Sequence, residues 1–178
     1  MLALSAVVFR WPQLEPACVW ATFLLILLYR FAVWSIYRQD SVPILRVATT
    51  DGDHSELISL AASIRMNASA KHSGYKVGAA VRGLSGKTYV GCNVEFDNYS
   101  NTIHAEEAAL AAAVAGGETG VYAIAVVTGS SELAWPCGMC LQSLFELGGR
   151  DLLVIASNGN TSEVKRVGDL LPSGFRIG

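Results

Sequence analysis

The chain predicts an α/β fold, a mixed β-sheet with helices on both faces. Short apolar runs of strand length alternate with helical segments in the order α-β-β-α-β-α-β, and that alternation builds a sheet covered by helices. The runs Val121–Thr128 and Leu152–Ala156 are almost wholly apolar, the pattern of strands buried on both faces. With 52% of 178 residues hydrophobic, one sizeable core is within reach.

Each element has its own signal. Asp53 or Ser55 is placed to cap a first helix whose apolar positions are Leu57, Ile58, Leu60, Ala61, Ile64 and Met66. Strands are expected around Lys76–Val81 and Thr88–Val94, joined by a turn at Leu84-Ser85-Gly86-Lys87. Asn101 or Thr102 precedes a second helix, alanine-rich to Val114 and stopped at Gly116-Gly117. A third helix opens at Cys137, runs through Leu144 and Phe145, and ends at Gly148-Gly149.

The formal net charge of -2 exerts no general pull toward nucleic acid. Four cysteines do not make a disulfide framework, and a reducing, cytoplasmic compartment is expected. Ala17–Tyr37 stands apart: it is strongly apolar and about the 20 residues a membrane span needs. Arg30 interrupts it, at about 2.5–3.5 kcal/mol if central and less if it snorkels. Arg30, Arg38 and Arg46 follow the apolar core, so an anchor would leave the catalytic part on the cytoplasmic side. Three readings of residues 1–50 stand open: a membrane anchor, a hydrophobic arm packed in an oligomer, or an extension from a misassigned start codon. Residues 51–178 form the expected catalytic domain.

The chemistry is concentrated in two places. His104-Ala105-Glu106 and Pro136-Cys137-Gly138-Met139-Cys140 supply one imidazole and two thiols. Zinc binds both donor types well, and three protein ligands leave a fourth tetrahedral place for a water. Glu106, two residues after the histidine, can handle that water's protons. A helix start at Cys137 favours thiolate. Alone, a CxxC is often redox-active or half of a structural zinc site, and an HxE on an alanine-rich helix is usually a solvated face. Together and in this order they form the H-x-E…P-C-x-x-C pattern of zinc deaminases. A structural site would want a fourth protein ligand. Cys18, in an apolar run, and Cys92, in a strand, are poor candidates.

From about Ser55 to Phe175 the chain resembles the cytidine deaminases. Ser73-Gly74-Tyr75-Lys76-Val77-Gly78-Ala79-Ala80 resembles the family's first strand, and Gly91-Cys92-Asn93-Val94-Glu95 its G-C-N-[IV]-E motif. The two metal motifs follow, then Gln142 and Glu146, then Leu170-Leu171-Pro172-x-x-Phe175. The resemblance implies the three-layer fold of that family and one Zn²⁺ held by His104, Cys137 and Cys140, with Glu106 as catalytic acid and base. It also implies that Asn93 and Glu95 hold ribose hydroxyls, Tyr75 packs near the pyrimidine, and Ala105 backbone groups meet the pyrimidine edge. Phe175 would complete a neighbouring subunit's site in a homotetramer.

Three departures bear on that. Many single-domain relatives have cysteine at His104 and arginine at Glu107. One histidine and two thiolates already balance Zn²⁺, so the arginine is less needed. Leu141 removes a second cation by the same logic. Trp135 stands where serine or threonine is usual and is large enough to narrow the pocket.

The expected activity is hydrolytic deamination of cytidine and deoxycytidine in pyrimidine salvage. The alternative is the same chemistry on another aminopyrimidine nucleoside of the blasticidin type. A nucleic-acid-editing enzyme would want a basic groove that this charge balance does not offer. A decayed scaffold would not keep His104, Glu106, Cys137 and Cys140 together.

Overall fold

Central strands buried on both faces decide the architecture. The structure, a computed structural model, describes residue 25, residues 27–30 and residues 53–177. Five strands form one sheet: β1 (Gly78–Gly83), β2 (Thr88–Cys92), β3 (Val121–Val127), β4 (Leu153–Ser157) and β5 (Ser162–Arg166). Their spatial order is β2-β1-β3-β4-β5. The β3–β4 pair is parallel and the other three pairs are antiparallel, so the sheet is mixed as expected. The parallel pair needs a crossover, and helix α3 (Gly138–Gly148) supplies it.

Side chains on β1 and β3 go to two separate cores. Ala79, Val81, Ile124 and Val126 pack with Ala105, Ala109, Leu144 and Phe145, which belong to α2 (Ala105–Ala115) and α3. Ala80, Ala123, Ala125 and Val127 pack on the other face with Leu57 and Ala61 of α1 (Ser55–Arg65). This is helix, sheet, helix in three layers. Two glycines allow the close stacking. A Cβ on Gly78 would lie 2.7 Å from the Arg65 amide nitrogen on one face. A Cβ on Gly91 would lie 2.6 Å from the Ala105 carbonyl oxygen on the other. Both contacts are tighter than any side chain tolerates, so glycine sets how near α1 and α2 approach.

The strands differ from expectation at one end. β1 starts at Gly78 rather than Lys76, and β2 stops at Cys92 rather than Val94. Asn93 is the reason. Its side-chain oxygen accepts from the Val77 backbone N–H at 2.8 Å and its amide donates to the Tyr75 carbonyl at 2.9 Å. A side chain thus takes over what the ladder would have done. Three short elements escaped the sequence: the 3-10 turn Tyr99–Asn101, the edge strand β5 and the one-turn helix α4 (Val167–Leu170).

The chain divides into two units, Met1–Arg46 and Val47–Gly178. In the first, Leu25 and residues 27–30 are helical and exposed, and the rest of the expected anchor over 17–37 lies outside the described residues. The anchor expectation is corrected here: among the described residues, no helix is long and apolar enough to cross a membrane. The cytoplasmic orientation inferred from flanking arginines presupposed that anchor and loses its basis with it.

Candidate active site

Both metal motifs sit where helices begin. His104 is the N-cap of α2 and Cys137 the N-cap of α3, and neither side chain caps its own helix. Their imidazole and thiol groups are therefore left to face one another. His104 Nδ1 lies 3.3 Å from Cys140 Sγ and 3.5 Å from Cys137 Sγ, and the two sulfurs are 3.8 Å apart. Tetrahedral zinc, with bonds of about 2.3 Å to sulfur and about 2.0–2.1 Å to nitrogen, separates its sulfurs by roughly 3.8 Å and a nitrogen from a sulfur by roughly 3.5–3.6 Å. The donor set fits zinc in type and in spacing. Two helix N-termini add positive potential that favours thiolate at both cysteines.

Burial alone works the other way. Cys140 is fully buried, and burial pushes its thiol far up, with Glu106 and Cys137 adding to the effect. A dication among the three ligands reverses that balance. Glu106, one residue into α2, is 6% exposed. Burial raises its carboxyl, while backbone N–H groups and His104 oppose the rise. A carboxyl whose burial favours the protonated form can give a proton as well as take one.

One cavity of about 330 Å³ gathers most of the predicted residues. His104, Ala105, Glu106 and Cys137 line its metal end, and Tyr75, Asn93 and Glu95 line another part. Cys140 lies just behind, against His104 and Cys137. The cavity opens near the C-terminal end of β3, where α/β sheets commonly bind ligands. Glu95 is fixed by the loop before β1. Its carboxylate accepts from the backbone N–H of His72 at 2.8 Å, from that of Ser73 at 3.1 Å, and from the Ser73 hydroxyl. The Ser73 hydroxyl and then those two N–H groups hold the Glu95 carboxyl below the usual carboxylate range.

Phe175 is not among the lining residues. It is 67% exposed, and its backbone is clasped by the Gln142 side chain of its own chain, which accepts at 2.9 Å and donates at 2.8 Å. Phe175 therefore takes no part in its own chain's cavity, and the expected homotetramer, which nothing in the structure supports, is withdrawn. Sequence reasoning missed Ser73, Thr102 and Thr128 as lining residues. Thr128 closes an apolar run and is 1% exposed. Its hydroxyl lies 3.1 Å from that of Ser130, which lies 3.2 Å from that of Tyr75. Glu107, the acid in place of an arginine, is satisfied across the helix pair by the Ser143 hydroxyl at 2.7 Å.

A three-layer α/β domain with a three-ligand metal centre beside a buried carboxylate defines a zinc-dependent hydrolytic enzyme. Comparison with known proteins narrows the class. Residues 51–156 match the family described as the cytidine and deoxycytidylate deaminase zinc-binding region. A cytidine deaminase of Mycobacterium tuberculosis is 38% identical over 106 residues, which are 60% of this chain and 77% of that protein. The crystal structure of a cytidine deaminase from Burkholderia pseudomallei superposes with a TM-score of 0.66 at 39% identity, covering 70% of this chain and all of that one. That of the Mycobacterium tuberculosis enzyme gives a TM-score of 0.63 at 35% identity. The chain belongs to the zinc-dependent cytidine deaminase family.

Proposed function

We propose that the protein hydrolyses the exocyclic amine of cytidine and deoxycytidine, giving uridine or deoxyuridine and ammonia, in pyrimidine salvage. The observation that carries this is a single cavity joining Glu106, His104 and Cys137 to Asn93 and Glu95. Zinc, when bound by His104, Cys137 and Cys140, supplies the Lewis acidity that makes water a nucleophile at neutral pH. Glu106 takes one proton from the attacking water and delivers it to the ring nitrogen next to the reacting carbon; it then takes the second proton from the hydroxyl now on that carbon and gives it to the departing amine, which leaves as ammonia. Its burial keeps competing solvent away from that carboxyl. Ala105 opens α2 beside it and can meet the pyrimidine edge with backbone groups.

Asn93 and Glu95 are the sugar ligands in this scheme. Each spends part of its hydrogen-bonding capacity on the protein and retains lone pairs or a proton for two hydroxyls. Tyr75, half-exposed on the wall between them and Thr128, packs near the base. Charge distinguishes nucleoside from nucleotide. The lining carries the carboxylates of Glu95 and Glu106 and neither lysine nor arginine among the described residues, so a phosphorylated substrate would enter against its charge. The purified full-length chain, loaded with zinc, is expected to deaminate cytidine and deoxycytidine and to leave cytosine and deoxycytidylate nearly untouched. Faster turnover of the nucleotide would overturn the assignment.

A further inference from the structure

The metal end of the cavity has an aromatic wall held from outside by a cation. Trp135 lines the cavity and also packs against the core shared by α2, α3 and the sheet. Lys165 Nζ sits 4.4 Å from the centroid of its ring. An ammonium at that distance is attracted to the ring face. The register explains how it arrives there. Lys165 of β5 is paired with Val154 of β4, and Val154 with Ile124 of β3. Paired residues share a face, and Val154 and Ile124 both belong to the core beneath Trp135. Glu163, two residues back on β5, bonds the same ammonium at 3.2 Å and steadies it. The indole thus packs against the core, meets Lys165 on its ring and also lines the cavity.

Its place in the chain fixes which part of a ligand it meets. Trp135 is two residues from Cys137, so their Cα atoms are at most about 7 Å apart. Pro136 between them is buried and fixes the direction of the chain. Asn93 and Glu95 come from a different loop. On the deaminase reading of the site, on which this rests, the base lies toward Trp135 and the sugar toward Asn93. We infer that Trp135 is a specificity-determining residue that bars substituted pyrimidine bases from the metal end, and that Lys165 is the positioning residue that holds it in place.

Equilibrium binding tests this without turnover. Uridine, 5-methyluridine and 5-iodouridine are titrated calorimetrically into the zinc-loaded full-length protein and four variants: Trp135→Ala, Trp135→Phe, Lys165→Met and Lys165→Arg. In the parent, affinity falls with each larger substituent. Trp135→Ala should shrink the uridine-to-iodouridine gap by about tenfold or more, the discrimination one added group commands in a tight apolar pocket. Trp135→Phe should shrink it less. Lys165→Met, which keeps the stem, should shrink it about threefold, and Lys165→Arg should restore the parent gap because it keeps the cation. A merely structural lysine would weaken all three ligands equally. Zinc content is measured first, and if Trp135→Ala has lost its metal, Trp135→Phe decides. Gaps within about twofold of the parent in the zinc-bearing Trp135 variants would overturn the wall. Cytidine turnover is read separately: a parent that shows the graded binding but leaves cytidine unchanged refutes the proposed function and supports the wall.

Discussion

The two ends of the cavity are built by opposite means. At the metal end, His104 and Cys137 are N-caps that make no capping bond, so their side chains are positioned only by where α2 and α3 begin. At the sugar end, Asn93 and Glu95 are positioned by their own hydrogen bonds to the backbone of Tyr75, Val77, His72 and Ser73. The first end separates scaffold from chemistry. The second uses the same atoms for both. Loss of a metal-end group should therefore cost function with little local rearrangement apart from the metal, whereas loss of a sugar-end group should cost function and local structure together.

The largest effect is expected at Cys140. Cys140→Ala removes a ligand from a three-ligand set, and metal analysis should find zinc nearly absent and deamination abolished. Full zinc retention would show that the metal is held elsewhere. Glu106→Gln should lose about 10²–10⁴-fold in kcat while keeping zinc and the parent melting temperature, since the amide fills the same buried space. A drop in Tm along with activity would mean that the metal end is not separable after all. Asn93→Ala should do what Glu106→Gln does not. It orphans the Val77 N–H and the Tyr75 carbonyl, at about 1–3 kcal/mol for each buried group, so both Tm and kcat/KM for cytidine should fall. An unchanged Tm would place Asn93 in the substrate role only.

The smallest effect is electrostatic. The Glu95 carboxyl is held low by Ser73 and the loop N–H groups. A depressed folded value stabilises the protein fully above the unfolded carboxylate value of about 4.3, and that contribution is lost as pH falls through the lower folded value. The Tm gap between the parent and Glu95→Gln should be open at pH 7 and close as the pH drops below about 4. A gap that persists in acid would assign the effect to shape instead of charge.

Much of this was legible because it is written in local patterns. The apolar runs announced β3 and β4 to within a residue, and the donor types and order of the two motifs picked out the cluster that the fold brings together. The core could be read because β3 feeds both faces and has to be apolar throughout. β5 could not: its Ser162-Glu163-Val164-Lys165-Arg166 is polar, as edge strands commonly are. The late start of β1 and the early stop of β2 were hidden because Asn93 reads as a substrate ligand and gives no sign that it also ties two chain segments together. Phe175 was assigned by resemblance to a neighbouring subunit's site, and the fold of one chain places it only outside its own cavity. Thr128 looked like the end of a strand, and only the fold turns it toward Tyr75 and the cavity.

The crossover between β3 and β4 has a bearing on how the molecule assembles in time. Cys137 and Cys140 are three residues apart and come together with the first turn of α3, whereas His104 is 33 residues from Cys137 and belongs to the preceding helix. Two thiols are thus available early, as a half-site closed by a short local loop, while the imidazole arrives only when α2 docks on α3. Closing the longer loop is slower and entropically dearer. Completion of the three-ligand centre is consequently a late folding event. The change in ligand set as the histidine joins, followed with a spectroscopically active divalent ion, would clock the docking of two helices rather than the formation of either one.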